Sequence, residues 1–153
     1  MISERYPADH LAEVSGRIGR RPVLWDNALA NDGRARAPFL PLGPGALGPD
    51  LPAQVAGAAV NPMNQPHLAR IALSRTAAAW HGRPDPGFAE AGVLAPLIAE
   101  IAEALTRTGY DALGEAGRAA LRARVAPHAA LPMAAEILDW LDGGYVFDPA
   151  CLT

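Results

Sequence analysis

The sequence predicts an α/β chain that passes to all-α, mostly helical overall. Three observations predict it. Pro22-Val23-Leu24-Trp25 is a short apolar run of strand-forming residues with a proline only at its entry, and an amphipathic segment precedes it. Gly57-Ala58-Ala59-Val60 is a second small-residue run that leads into another helical segment. Beyond Pro84 every periodic signal is helical.

The elements follow in order. Pro7 to Arg17 reads as a helix, with Pro7 in its first turn, Asp9 near the positive end of the dipole, Leu11, Val14 and Ile18 at helical spacing and Gly19 as the stop. The strand at Pro22 reads as buried and ends at Asp26. Residues 27–49 form a long loop rich in Gly, Pro, Ala and Asn, a length that inside a compact domain points to function. Asp50 is placed to cap a short helix with Pro52 in its first turn, and the second strand ends at Asn61. Pro66 opens a helix to about His81, with Leu68, Ile71, Ala72 and Leu73 on its apolar side, closed by Gly82 and Pro84.

Three more stripes follow: Leu94, Leu97, Ile98, Ile101 and Leu105; a weaker one through Leu113, Ala116, Ala120, Leu121 and Val125, interrupted by Gly114 and Gly117; and Met133, Ile137, Leu138 and Leu141. They predict a small helical bundle over 84–144. Gly143-Gly144 ends the last helix, and 145–153 reads as an extended or frayed tail.

The chain has 153 residues, half of them hydrophobic, which is enough for a real core. A net charge of -3 gives no basic footprint for nucleic acid. No apolar run approaches the roughly 18 to 20 residues that span a bilayer, and the start lacks a signal-peptide core. Neither nucleic acid nor membrane is therefore an expected partner, and the chain is expected in the cytoplasm if made as it stands. The single Cys151 excludes an intrachain disulfide.

The chemistry concentrates in Arg21 to Asp32, RPVLWDNALAND, where Asp26, Asn27, Asn31 and Asp32 follow the strand. A parallel strand that delivers carboxylates and amides at its C-terminal end is how α/β barrels build their pockets. Asp32 is suited to accept from two adjacent sugar hydroxyls, or only to stabilise its own Asn-Asp-Gly turn. Asn27 both donates and accepts, which suits hydroxyl recognition as well as a cap. By residue type alone Trp25 reads as plain core, and Asn61 as an ordinary residue held extended by Pro62. The four acid and amide groups do not have the spacing of a calcium loop, and His10, His67, His81 and His128 share no ligand spacing, so neither a metal nor another cofactor is expected. Ser74 has no nucleophile elbow around it.

Trp25-Asp26-Asn27, Asn31-Asp32, Phe39-Leu40 and Asn61-Pro62-Met63-Asn64, in that order, resemble the second half of the catalytic domain of glycoside hydrolase family 84. These are β-N-acetylglucosaminidases that include protein O-GlcNAcases and bacterial hyaluronidase-like enzymes. The resemblance runs from about Ser3 to about Trp80. It implies that residues 1–83 are the last βα units of an incomplete (β/α)8 TIM barrel, with 84–144 a trailing helical subdomain. It implies substrate-binding roles: Asp32 on the hydroxyls of the non-reducing-end sugar, Asn27 beside the N-acetyl group and the catalytic acids, Trp25 walling the acetamido-methyl pocket, and Asn61 on sugar hydroxyls. The implied partner is an N-acetylglucosamine-containing glycoside.

Enzymes of this kind use the substrate's own acetamido oxygen as nucleophile, with one acid orienting the amide and its neighbour protonating the leaving group. In the family these are consecutive aspartates on an earlier strand, and no Asp-Asp pair occurs in this sequence. A full barrel also takes about 250 residues. The expectation is a fragment of a β-N-acetylglucosaminidase that supplies sugar-binding residues, holds no catalytic residue of its own, is inactive alone and completes its site with the missing N-terminal barrel portion. The alternative is a non-catalytic helical interaction module that keeps a vestigial pocket strand.

Overall fold

The computed structural model describes residues 5–144, so the tail expected over 145–153, Cys151 included, lies outside the described residues. Helix α1, Ala8–Ile18, starts after an extended Pro7 and ends at Gly19, whose φ of 68° is the left-handed cap that glycine adopts without strain. Leu11 is buried, while Ile18 at the far end of the predicted stripe is largely exposed.

Strand β1, Val23–Asp26, pairs in parallel with β2, Gly57–Val60, in register from Val23 opposite Gly57 to Asp26 opposite Val60. Among the described residues this is the whole sheet. β1, expected as a buried strand, is buried on one face only. Leu24 and Asp26 are buried, but Val23 is 69% and Trp25 68% exposed. Successive residues of a strand point to opposite faces. One face rests on a cluster of Leu11, Leu24, Leu47, Leu51 and Val55; the other is uncovered among the described residues.

The segment between the strands is more than a surface loop, since Leu29, Leu40, Leu42 and Leu47 are all buried core residues. Asp50 does not cap the short 3-10 turn Leu51–Ala53: its own backbone is already helical, at φ -82° and ψ -16°, whereas a side-chain cap needs an extended residue there.

Helix α2, Pro66–Trp80, begins with proline in its first turn, where no backbone donor is missed. The next two free amides, of His67 and Leu68, donate to the two carboxylate oxygens of Glu136 at 2.9 and 2.8 Å, a cap supplied from far along the chain. Helix α3, Ala95–Glu103, runs on through a π-helical turn, Ala104–Thr108, into α4, Gly109–Val125; α5 is Pro132–Leu141. Gly114, at φ 61° and ψ 178°, kinks α4 where the sequence stripe weakens.

The loop docks on the α3–α4 junction through backbone bonds: the Leu40 amide donates to the Leu105 carbonyl at 3.0 Å and the Tyr110 amide to the Pro38 carbonyl at 2.8 Å. Gly109 makes this approach possible, because a Cβ there would stand 2.5 Å from the Phe39 ring and its φ is 73°. One continuous core joins Leu29, Leu40 and Leu42 of the loop to Leu68 and Ile71 of α2 and to Ile98, Ile101, Leu105, Val125, Ile137 and Trp140 of the later helices. The molecule is thus mostly helical with one small parallel sheet, and no helix among the described residues is long and apolar enough to cross a membrane.

Candidate functional site

The two strands end side by side, and the residue after each is an asparagine. The Asn61 amide continues the ladder by donating to the Asp26 carbonyl at 2.8 Å. That rung brings the side chains together: Asn27 Oδ1 accepts from Asn61 Nδ2 at 3.2 Å and from the Trp25 indole Nε1 at 2.9 Å. Both asparagines are half-buried. Among the described residues, Asn27 Nδ2 and Asn61 Oδ1 have no protein partner, so the pair presents one donor group and one acceptor to solvent beside an exposed indole. A hydroxyl-rich ligand with one apolar face meets such a set well.

Asp32 stands further along the same loop. It is exposed, and its carboxylate has no hydrogen-bond or ion-pair partner among the described residues. The structure therefore joins three of the four candidate residues, Trp25, Asn27 and Asn61, in one hydrogen-bonded set and leaves Asp32 on the surface of its loop.

Asp26 and Asn31 belong to the same polar run but are buried. Asp26 is fully buried. Its Oδ1 accepts from the Tyr6 hydroxyl at 3.3 Å and the Ala28 amide at 2.9 Å, and its Oδ2 from the Ala46 amide at 3.2 Å. It shares the face of Leu24, opposite Trp25, and clamps the start of the chain, the exit of β1 and the later loop together. Asn31 is 2% exposed and bonded inward. Residue type alone could not separate these structural members from Asn27 and Asp32; the alternation counted from Leu24 would have assigned Asp26 to the buried face.

Burial, then the charge of Asp26 and the hydrogen bond to it, push the Tyr6 phenol above its ordinary 10.0. A raised folded-state value means that this contribution to stability is whole below pH 10 and is lost as pH rises through the folded value. An alkaline unfolding titration should accordingly show a destabilising step above pH 10 that Tyr6→Phe removes; an unchanged step in that variant would assign it elsewhere.

Among the described residues no group of three His, Cys, Asp or Glu side chains is placed to hold a metal ion.

A model of the beta-N-acetylglucosaminidase family matches residues 1–110, most of the chain and all of the strand-loop region just described. The chain belongs to that family. Among solved structures, a mutant O-GlcNAc hydrolase of Thermobaculum terrenum shares the fold, with a TM-score of 0.58 at 23% identity over 94% of this chain. The chain spans only 33% of that structure's length. The chain is thus a beta-N-acetylglucosaminidase-related domain, and the family match covers β1, β2, α2 and every one of the four candidate residues.

Proposed function

We propose that the chain supplies the last two βα units and the sugar-contacting residues of a substrate-assisted β-N-acetylglucosaminidase barrel, and that the paired acids and the other strands come from a segment outside these 153 residues. The observation that carries this reading is the bare face of β1. Parallel sheets are ordinarily covered on both faces, and two strands cannot close a barrel. Yet Val23 and Trp25 lie open on the side that a closed barrel would fill, and Asn27 and Asn61 stand at the C-terminal ends of the strands, where such barrels carry their pockets. That the chain spans only 33% of the solved relative's length supports the same reading.

The division of labour follows from the chemistry of the groups. Asp32 accepts from a pair of ring hydroxyls, Asn61 bonds a further hydroxyl, Asn27 lies beside the acetamide, and Trp25 gives the acetamide methyl an apolar wall. None of them is an acid placed to protonate a glycosidic oxygen, and an acetamide left unoriented does not act as nucleophile. The chain alone therefore binds a terminal N-acetylglucosamine weakly and does not cleave it.

The test is an assay on an activated N-acetylglucosaminide, with the purified chain alone and then mixed with the N-terminal barrel portion of a relative. Turnover on mixing only is the expected result. Turnover by the chain alone would overturn the proposal. The second reading, a non-catalytic helical interaction module, draws on the large core shared by α2 to α5; it is favoured if the chain neither binds the sugar nor gains activity on mixing.

A further inference from the structure

We infer that Asn31 is a positioning residue that sets the separation between Asp32 and Asn61, by bolting the loop after β1 to the loop after β2 through Gln65 and Asn64. The inference rests on the reading of Asp32 and Asn61 as sugar contacts. Asn31 Nδ2 donates to the Phe39 carbonyl at 3.1 Å and to Gln65 Oε1 at 2.9 Å, while its Oδ1 accepts from the Asn64 amide at 2.8 Å. The amide is 2% exposed and Gln65 8%, so these bonds form away from water, where leaving a partner unmade is costly. The bridge spans more than thirty residues of sequence and joins the two loops that follow the paired strands.

Its outer neighbours are the candidate contacts. Asp32 directly follows Asn31 and is exposed; Asn61 opens the segment that ends at Gln65 and is half-buried. Each loop is thus held by its inward residue and presents its outward one.

Gln65 is also the residue before α2, yet its side chain makes no cap bond to the helix. It is free for Asn31 because Glu136 of α5 takes the amides of His67 and Leu68 instead. A continuous path therefore runs from α5 through the start of α2 and Gln65 to Asn31 and the base of Asp32, so the helical half fixes the geometry of the loops. Only an amide at 31 does this. A carboxylate would keep the acceptor for Asn64 but set its oxygen against the Phe39 and Gln65 oxygens.

The test uses the full chain and N-acetylglucosamine as the probe, followed by NMR titration. Gln65→Leu removes one acceptor and disturbs folding less than Asn31→Ala; Gln65→Glu keeps an acceptor for Asn31 Nδ2. In the parent, the Asp32 and Asn61 amides should shift together with one affinity. Gln65→Leu should weaken that affinity about tenfold with the helical content intact, as loss of one buried hydrogen bond implies. In that background Asn61→Ala should cost little more, and Gln65→Glu should restore most of the affinity. Binding by folded Gln65→Leu at the parent's affinity would overturn the inference. If the parent shows no sugar-dependent shifts, the sugar reading fails, and the bolt is judged by cross-loop NOEs between residues 31–33 and 61–65. Their loss in Gln65→Leu and return in Gln65→Glu supports it, and their persistence in Gln65→Leu overturns it.

Discussion

Trp140→Ala should lower the stability of the chain by about 3 to 5 kcal/mol, the usual cost of emptying a large aromatic site in a packed core. Against a typical total of about 5 to 15 kcal/mol this leaves the fold marginal or lost. The indole is fully buried, meets the Tyr110 ring edge-on at 5.5 Å between centroids, and donates to the Ala37 carbonyl at 3.4 Å. Removing it opens a cavity where α5, α4 and the loop converge and deprives a buried carbonyl of its donor. Trp25→Ala is the internal control: at 68% exposure it should change the melting temperature of the isolated chain little. Thermal denaturation of the two variants checks the contrast, and similar losses in both would show that β1's open face is covered in solution.

Asp32→Asn, introduced into the enzyme assembled as proposed, should lower kcat/KM by an amount equivalent to about 1.5 to 3 kcal/mol, the worth of a hydrogen bond to a charged group. At about 1.4 kcal/mol per factor of ten this is roughly 10- to 150-fold. Stability should be unaffected, because the carboxylate is exposed and has no partner among the described residues to lose. That pairing of a large kinetic effect with an unchanged melting temperature is what separates a ligand contact from a turn-forming aspartate. Kinetics equal to those of the unsubstituted enzyme would leave Asp32 as a turn residue only.

Most of the helical architecture was legible because it is written in short-range chemistry. The stripe from Leu94 to Leu105, the proline that opens α2, and Gly19 at the end of α1 each follow from spacing or backbone preference. The two strands and their asparagine exits were legible for the same reason, as was the break in α4 at Gly114. The caps were less so: Asp50 has the residue type of a cap and the wrong backbone, and α2 takes its cap from Glu136, which no local pattern announces.

What the sequence determined by itself, then, was the set of elements, the polar run after β1 and the family likeness, all carried by neighbours along the chain. Only the tertiary structure decided which polar residues are scaffold and which face solvent. Asp26 and Asn31 turn inward while Asn27 and Asn61 stay half-buried and Asp32 exposed, although the residue types are the same. The physical reason is that a buried carboxylate or amide must find its donors and acceptors wherever the fold brings them. Besides the nearby Ala28 and Phe39, the partners lie at Tyr6, Ala46, Asn64 and Gln65, 20 to 34 residues away in sequence, and Asn64 and Gln65 follow the strand that pairs with β1.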